Sequence, residues 1–426
     1  MISQNRRPTM KDNQAKYPQL RFKGFTDPWE KRTLGQTTTK AKSYSLSRDV
    51  ERDHETGYRY IHYGDIHTGV ADIVTEHTKL PNIEPANYDE LRVNDLVVAD
   101  ASEDYQGIAE PAVVVGLPTH LVAGLHTITL RPSSASSLYL YYLLHTDSFK
   151  HFGYQMGTGL KVFGISWSNL SKFTFMIPSR PEQEMIVKLI ESVDNLIAVN
   201  QRKLAKLKEL KQGYLQKLFP KNGSKFPQLR FAGFADAWEE RKLSSISERV
   251  TRKNKNNEST LPLTISAQDG LVDQNDFFNK QVASRDVTGY FLVKNGEFAY
   301  NKSYSNGYPW GAIKRLDKYD MGVLSTLYIV FRPTKINSQF LVSYYDTTRW
   351  YREVSKNAAE GARNHGLLNI APTDFFNTLL VVPKIVDEQQ KIGSFFKQLD
   401  DTIALHQRKL EKLQELKKGY LQKMFC

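Results

Sequence analysis

A basic helical segment occurs twice in the chain, and this repeat limits the possible folds more than any other feature. QRKLAKLKELKQGYLQKLF spans residues 201–219 and QRKLEKLQELKKGYLQKMF spans residues 407–425. Three further pairs precede it in matching order: PQLRFKGFTDPWEKRTL with PQLRFAGFADAWEERKL, HTITLRP with TLYIVFRP, and FTFMIPSRPEQEMI with NTLLVVPKIVDEQQKI. Because the offsets all lie between 201 and 209 residues, the chain is a tandem duplication with copies at roughly 17–220 and 226–426.

Both copies of the helix carry an apolar seam whose spacing alternates between three and four residues, the pattern of a coiled coil. Neither helix can bury such a stripe alone, so we expect the two to pack antiparallel, each following a globular block of its own. Asn200 and His406 share one position, where a polar pair fixes register or a histidine lies partly exposed without a special role. Lys211 and Lys417 share another, and we expect them to extend from the seam towards solvent. The other seam positions are Ile190, Val193, Ile197, Leu204, Leu207, Tyr214 and Leu218 in the first copy, and Phe396, Leu399, Ile403, Leu410, Leu413, Tyr420 and Met424 in the second.

The blocks between the repeated segments have an α+β pattern. Short β-branched and aromatic runs such as DLVVAD, AVVVG, HTITLR, LYIVFR, FTFMIP and TLLVVP predict strands. One helix is expected in SSLYLYYLLHTDSFKHF and one in SQFLVSYYDTTRWYREV. The predicted fold is therefore two similar globular α+β domains separated by two long helices, which form an antiparallel coiled coil with pseudo-twofold symmetry. The expected boundaries are a polar tail at 1–16, domains at 17–180 and 221–385, and helices at 181–220 and 386–426.

The charge of the chain suits a polyanionic partner. There are 58 lysines and arginines against 46 acidic residues, a net charge of +12. Charge that serves only solubility is the alternative. The single cysteine, Cys426, excludes an internal disulfide and a CxxC zinc site, which fits a reducing compartment. No apolar run is long enough to span a membrane, so we expect a soluble cytoplasmic protein without a membrane partner.

Polar, basic and aromatic loops join the predicted strands, and they differ between the two copies while the flanking strands align. Such loops supply the cations that contact phosphates and the amides and aromatic rings that contact bases. The two blocks are therefore expected to recognise different DNA sequences. The candidate phosphate contacts are Lys40, Lys42, Arg48, Lys161, Arg252, Lys253, Lys302 and Arg363. The candidate base or near-base contacts are Gln106, Tyr154, Gln155, Tyr304, Asn306 and Asn364, and Tyr44 completes the DNA-binding set.

The enzymatic motifs that the sequence suggests are incomplete. TDPWE resembles the strand end of adenine methyltransferases, but its copy is ADAWE and no FxGxG loop accompanies it. GTGLK lacks the GK[ST] ending of a phosphate loop. Asn364 and His365 lack the second histidine of a ββα-metal nuclease, and no ExK follows Asp95, Asp100 and Glu103. We therefore expect a recognition module without catalytic residues and without a metal site.

In combination, the repeated signatures resemble the specificity subunits of Type I restriction-modification systems. PQLRFxGF opens each half, a P-x3/4-EQ junction follows the block, and QRKLxKLxELKxGYLQK[LM]F closes the helix. PQLRFxGF with LKxGYLQKxF is similar to the staphylococcal type. GYQMGTGLKVFGIS matches the family's glycine-rich loop near DNA, whereas AAEGARNHGLLNIA departs from it in detail.

This resemblance implies two target recognition domains, each binding one half of a bipartite, asymmetric site in double-stranded DNA. The helices would set the spacing and dock two methylation subunits, through which restriction and translocase subunits join. S-adenosylmethionine, ATP and Mg2+ would be held by those partners, which methylate adenine at N6 and cleave DNA in host defence, and this chain would hold no cofactor. A stand-alone nuclease or methyltransferase with an unrecognised site, and a coiled-coil adaptor that binds only proteins, remain the alternatives.

Overall fold

The computed structural model describes residues 2–4, 17–104, 107–159, 162–266, 269–303, 307–358 and 368–425. It divides into two compact units, Met1–Gln201 with Lys409–Cys426, and Arg202–Arg408. The divisions fall inside the two long helices, so each unit contains one globular block and one segment from each helix. We call these the first unit and the second unit.

The first unit contains most of the short strands. Its strands are β1 (Ile2–Gln4), β2 (Leu20–Phe22), β3 (Glu30–Thr33), β4 (Thr38–Ala41), β5 (Glu51–Arg52), β6 (Tyr58–Ile61), β7 (Ile73–Val74), β8 (Asn82–Ile83), β9 (Leu96–Ala99), β10 (Ala101–Ser102), β11 (Pro111–Val114), β12 (His120–Ala123), β13 (Thr127–Pro132), β14 (Phe163–Gly164) and β15 (Thr174–Ile177). Its helices are α1 (Leu34–Thr37), α2 (Tyr63–His67), α3 (Ser137–Leu143), α4 (Asp147–Met156), α5 (Trp167–Leu170) and the start of α6 (Arg180–Leu218), with a 3-10 turn at Arg48–Val50.

The second unit repeats the plan with fewer strands. Its strands are β16 (Glu239–Lys242), β17 (Ser247–Val250), β18 (Leu263–Ser266), β19 (Gly270–Asp273), β20 (Phe291–Lys294), β21 (Phe298–Asn301), β22 (Ala312–Arg315), β23 (Met321–Leu324), β24 (Ile329–Pro333) and β25 (Leu379–Val382). Its helices are α7 (Leu243–Ile246), α8 (Gln274–Phe278), α9 (Ser338–Tyr345), α10 (Tyr351–Asn357), α11 (Pro372–Phe376) and most of α12 (Val386–Lys423).

The central sheets of the two units share their strand order. The first is ordered β4-β13-β9-β11-β7 and the second β17-β24-β21-β22, with antiparallel pairing throughout except between β11 and β7. Four central strands, β9, β11, β13 and β24, arise from the predicted β-branched runs, because alternating side chains pack against helices on one face and further strands on the other. The first unit adds a four-stranded sheet ordered β12-β6-β8-β5, whereas the second adds the pairs β18-β19 and β20-β23.

The repeated PQLRF and EQ signatures meet in the first unit in a buried polar cluster of Arg21, Trp29, Glu182 and Gln183. We call this cluster the lock. Arg21 donates from Nε and Nη2 to the two carboxylate oxygens of Glu182, at 2.7 and 2.8 Å. The indole of Trp29 donates to the same carboxylate at 3.2 Å. Gln183 donates to the Pro178 carbonyl at 2.9 Å. These contacts fix the start of α6 against the block, because the buried Glu182 carboxylate needs the donors of Arg21 and Trp29.

The second unit contains the same lock. Arg230 donates to Glu388 at 2.7 and 2.8 Å, and the indole of Trp238 does so at 3.3 Å. Gln389 donates to the Pro383 carbonyl at 2.8 Å. The signatures that repeat almost without change in the sequence are therefore the residues that join a block to a long helix.

The GYLQKxF end of each long helix is also buried in a block. Phe219, just beyond α6, lies in the second unit with Trp238 and Phe340, at ring distances of 6.0 and 5.6 Å. Phe425, just beyond α12, stacks on Tyr139 of the first unit at 5.0 Å. Each block therefore anchors the start of one long helix and the end of the other.

Within each unit the two helix segments run antiparallel. In the second unit Lys211 contacts Asp400, and three residues further along α6 the Tyr214 ring lies 4.9 Å from Phe395. In the first unit Lys417 of α12 contacts Asp194 of α6 at 2.6 Å. Every predicted seam side chain is buried or half-buried, including Asn200, which is buried, and His406, which is half-buried.

Two expectations from the sequence are wrong. Lys211 does not extend to solvent, because it forms ion pairs with Asp346 and Asp400 at 2.8 and 2.7 Å. The single helix expected after the last central strand of each block is instead two helices. These are α3 and α4 in the first unit, and α9 and α10 in the second. α3 ends at Leu143, and Thr146 caps α4, since its hydroxyl accepts the Phe149 N–H.

Candidate nucleic-acid interface

Two of the predicted DNA-contacting loops of the first unit meet at one short ladder. β10 pairs with β14, with Ala101 opposite Gly164. The Ile165 N–H also donates to the Asp100 carbonyl at 2.9 Å. Loops 101–107 and 154–164 are thereby joined, although the sequence separates them by about fifty residues.

Four of the candidate contacts belong to these two loops. Tyr154 and Gln155 lie exposed in the last turn of α4, and the Gln155 amide is 3.0 Å from the His151 ring. Gln106 and Lys161 lie outside the described residues.

Further cationic side chains line a groove of about 720 Å³ in the first unit. Lys40 and Lys42 line it together with Arg92 and Arg131. Lys42 lies 3.8 Å from Asp89, also on this groove, in an exposed ion pair that water and salt screen. Lys42 can therefore turn towards a phosphate at little cost, and Lys40 is exposed on the same groove. We call this feature the cation groove.

Arg48 and Tyr44 are bound within the first unit. Arg48 donates to Glu51 at 2.7 Å and to Asp65 at 2.8 Å. The Tyr44 hydroxyl accepts the Asp89 N–H at 2.7 Å, and its ring lies under the Lys42 ammonium at 4.9 Å. Both side chains are thus occupied with structural contacts.

The second unit joins its loops in the same way as the first. The Leu368 N–H donates to the Lys302 carbonyl at 3.0 Å, as Ile165 does to Asp100. The Lys302 ammonium lies 3.5 Å from the Ile370 carbonyl, and burial lowers the pKa of Lys302. The other candidates of these loops, Tyr304, Asn306, Arg363 and Asn364, lie outside the described residues.

Arg252 and Lys253 are held by contacts inside the second unit. Arg252 donates to Glu297 at 2.8 Å. Lys253 donates to the Gly289 carbonyl at 2.8 Å, and its ammonium lies 4.3 Å above the Phe291 ring. These two cations stabilise the fold around β20, which leaves Lys302 as the described candidate closest to the joined loops.

Asp95, one of the acidic residues that suggested a metal-dependent nuclease, has structural partners, as does the corresponding Glu297 in the second copy. Asp95 accepts two hydrogen bonds from Arg131, at 2.8 and 2.7 Å, and one from the Arg92 N–H. Glu297, its counterpart, accepts from Arg252 and from the Lys294 N–H. Among the described residues, no group of three or more histidine, cysteine or acidic side chains is placed to hold a metal ion. Nor does that part of the chain contain a helix of the length and apolarity that crossing a membrane requires.

A family model described as the Type I restriction modification DNA specificity domain matches the chain twice, at residues 26–209 and 235–415. The chain belongs to this specificity family. The family resemblance stated from the repeated signatures is therefore confirmed. Each match begins near the tryptophan of one lock, Trp29 or Trp238, and ends inside a long helix.

Relatives of the specificity family agree with this assignment. The MjaX specificity subunit assigned to a type I restriction enzyme of Methanocaldococcus jannaschii is 27% identical over 161 residues, which cover 36% of this chain and 37% of that protein. The chain thus spans about a third of the length of this curated relative.

Two solved structures have a similar fold. The Type-I restriction-modification system S subunit from M. genitalium matches with a TM-score of 0.56 at 16% identity, covering 96% of this chain and 99% of that one. A chain in a structure on the assembly and conformational transition of the type I R-M system matches with a TM-score of 0.52 at 14% identity, covering 93% and 97%. These likenesses confirm the predicted α+β fold of two similar domains with two long helices.

Sequence reasoning missed several residues that lie at this candidate interface. Arg92 and Arg131 belong to the cation groove, but no motif separates them from other surface cations. His67 and Glu110 contact each other beside loop 101–107, and their separation of 43 positions gives no sequence signal.

Proposed function

We propose that this chain is the DNA specificity subunit of a Type I restriction-modification complex. Each unit recognises one half of a bipartite, asymmetric site, and the chain itself catalyses no reaction. The observation that carries the proposal is the double match to the DNA specificity domain, one match for each block. The exposed cations of the first unit and the net charge of +12 support a polyanionic ligand.

Methylation mapping tests this directly. In cells that carry the chain with its methylation partner, we expect methylated adenines at one asymmetric motif made of two short half-sites and an unspecified spacer. A continuous motif, or methylation that persists unchanged when this chain is deleted, would contradict the proposal.

We propose that the loops joined by β10 and β14 recognise bases of the first half-site, with Tyr154 among the contacts. Replacing Tyr154 by alanine should relax one base-pair position at a cost of about 1 to 3 kcal/mol and leave the other half-site unchanged. Lys150→Gln, an exposed position one turn earlier on the same helix, is the control and should leave the base-pair profile unchanged. Binding competition with singly substituted duplexes measures the effect, and an unchanged profile for Tyr154→Ala removes it from the set.

The long helices are proposed to set the spacer. α6 contains 39 residues, which at about 1.5 Å per residue spans roughly 58 Å. One heptad inserted between Leu204 and Leu207, with a matching heptad in α12, should lengthen the spacer and preserve both half-sites. New half-sites with the old spacer would contradict this role.

The helices are also proposed to dock two methylation subunits, through which restriction and translocase subunits join. Exposed apolar side chains on α6 and α12, including Leu196, Val199, Leu210 and Leu416, support this. Leu210→Glu should reduce co-purification of the methylation subunit and leave folding unchanged. Glu209→Gln, an exposed neighbour, is the matched control.

The cofactors are proposed to belong to those partners. S-adenosylmethionine, ATP and Mg2+ would then be needed only by the assembled complex. The chain alone, incubated with DNA and all three, should retain duplex selectively without methylating or cleaving it. Turnover by the purified chain would favour the nuclease or methyltransferase alternative.

A further inference from the structure

A single histidine ring holds both ends of loop 102–109 in the first unit. His67 lies at the end of α2, and its Nε2 is 2.9 Å from the carbonyl oxygen of Ala101, which belongs to β10. Its Nδ1 is 3.0 Å from the Oε2 of Glu110, which immediately precedes β11. The ring therefore connects the residue before the loop to the residue after it.

The loop packs closely on this ring. A side chain at Gly107 would have its Cβ 3.0 Å from Cε1 of His67 and 2.5 Å from the Ser102 hydroxyl oxygen. The Gly107 N–H donates to the Asp104 carboxylate at 2.8 Å, and the Asp104 N–H lies 3.2 Å from the Ser102 hydroxyl. Any shift of the ring would thus displace the loop residues that rest on it.

The same ring also acts on a second loop. Ala101 accepts the histidine bond and pairs across the ladder with Gly164 in β14. β14 closes the segment 154–164, whose described residues include the exposed Tyr154. His67 therefore supports the strand from which both proposed DNA-contacting loops extend.

Both atoms that face the ring are acceptors, which decides its proton count. A carbonyl oxygen and a carboxylate oxygen can each only accept, and a neutral imidazole has one N–H. Only the imidazolium donates to both at once, whereas the neutral ring would place a lone pair against one of the two oxygens. The geometry thus favours the charged ring.

We propose that His67, in its imidazolium form, is a positioning residue for recognition of the first half-site. It fixes both ends of loop 102–109 and, through β10, the strand β14 that ends the segment 154–164. A neutral ring can keep only one of its two hydrogen bonds, so this support is lost when the ring becomes neutral. This inference rests on the proposed function, since it assigns a role within the same interface.

The groups around the ring act in the same direction. Glu110 faces Nδ1, Asp104 adds a second negative charge from the loop, and the Tyr63 ring lies 5.8 Å away on α2 itself. The hydrogen bond with Glu110 raises the pKa of His67, although partial burial opposes the charge. Because the pKa of His67 is raised, the imidazolium donates both hydrogen bonds below the ordinary histidine value of about 6.5. One of the two is lost as the pH rises through the raised value.

The second unit supplies an internal reference. Its block, residues 221–385, contains one histidine, His365, which lies outside the described residues. At the junction equivalent to Asp100 and Ile165, the described residues are Lys302 and Leu368. Recognition of the second half-site should therefore not depend on the His67 proton.

Three variants of the full chain test the proposal in complex with its methylation subunits. His67→Gln removes the imidazolium that donates to both Ala101 and Glu110. Glu110→Gln places an amide that can donate to the neutral ring, so the hold should survive at every pH. His120→Gln is the matched control, because His120 forms a similar pair with Glu90 at 2.9 Å on β12 and contacts neither loop.

The measurement is competitive binding between about pH 6 and pH 9 at constant ionic strength. The probes are duplexes that carry the motif identified by methylation mapping, and duplexes in which one base pair of either half-site is changed. Wild type and His120→Gln should lose roughly tenfold of their first-half-site discrimination as the pH rises. Glu110→Gln should keep its discrimination, and His67→Gln should lack it at every pH.

The proposal is overturned if His67→Gln discriminates like wild type, or if Glu110→Gln keeps the wild-type pH profile. A wild-type chain that binds all duplexes alike at every pH contradicts the proposed function instead. Hydrogen exchange of residues 101–110 in the DNA-free chain gives an independent readout. Exchange should rise with pH beyond the intrinsic rate in wild type, but not in Glu110→Gln.

Discussion

In the first unit Glu182 accepts two hydrogen bonds from Arg21 and one from Trp29, and in the second Glu388 accepts the same three from Arg230 and Trp238. The corresponding distances differ by 0.1 Å or less. A buried carboxylate tolerates no change in its donors, because each lost bond leaves a desolvated charge. The loops beside these locks have no such requirement and differ freely.

The polar contacts of the helix seam show a second difference between the units. Lys211 bridges two carboxylates in the second unit, Asp346 and Asp400, and Lys314 also contacts Asp346. Lys417, the counterpart of Lys211, contacts Asp194 in the first unit. His145, in the turn after α3, occupies the sequence position that corresponds to Asp346, so the repeated lysine has a different set of partners in each unit.

The largest effect should come from removing a lock carboxylate. Glu182→Ala removes the carboxylate that pairs with the Arg21 guanidinium, 4% exposed, and accepts from the Trp29 indole, and leaves Arg21 only the Asp27 carbonyl. We expect a loss of about 3 to 5 kcal/mol in the free energy of unfolding of the first unit. Urea unfolding with hydrogen exchange resolved by unit measures it.

Glu388→Ala should cost less, because Arg230 is 14% exposed and water can partly solvate it. Glu184→Ala, which removes an exposed pair with Arg180, is the control and should change stability by roughly 0.5 kcal/mol or less. Equal losses for Glu182→Ala and Glu184→Ala would disprove the lock.

A smaller effect should separate the two seam lysines. Lys211→Met leaves two carboxylates facing one remaining lysine, and we expect a loss of about 3 kcal/mol. Lys417→Met should cost roughly 1 kcal/mol, because Lys417 is 30% exposed whereas Lys211 is 16% exposed. Thermal and urea unfolding measure both losses. A larger loss for Lys417→Met than for Lys211→Met would contradict the comparison.

The pH dependence sharpens the same comparison. Burial opposes ionisation of Asp346, but Lys314 and Lys211 outweigh it and lower the pKa of this carboxyl. Its contribution to stability is therefore present above the ordinary aspartate value of about 3.9 and is lost as the pH falls through the lowered value. In Lys211→Met this loss should begin at a higher pH, as acid unfolding curves would reveal.

The smallest effect concerns two cations predicted alike from the sequence. Lys40→Ala should weaken binding to all duplexes equally and reduce the slope of log affinity against log salt by about 0.9. Arg48→Ala should mainly destabilise the first unit, since Arg48 contacts Glu51 and Asp65. A larger change in salt slope for Arg48→Ala than for Lys40→Ala would reverse these assignments.

Much of the framework could be predicted because its determinants are local. The seam follows from apolar residues at helical spacing, and the central strands β9, β11, β13 and β24 follow from short β-branched runs. The break between α3 and α4 was missed because Thr146 caps a helix only once the chain has turned there. The candidate site was predicted less well, since a cation such as Arg252 shows its partner only after Glu297 is brought beside it.

By itself, the sequence determined the duplication, the long helices and the family, because each is written in periodic or repeated residues close together along the chain. Only the tertiary structure decided that Arg21 and Trp29 share Glu182, that Phe425 returns to the first block, and that His67 faces Ala101 and Glu110. Such contacts join residues far apart in sequence, and their strength depends on burial and geometry, which no local pattern encodes.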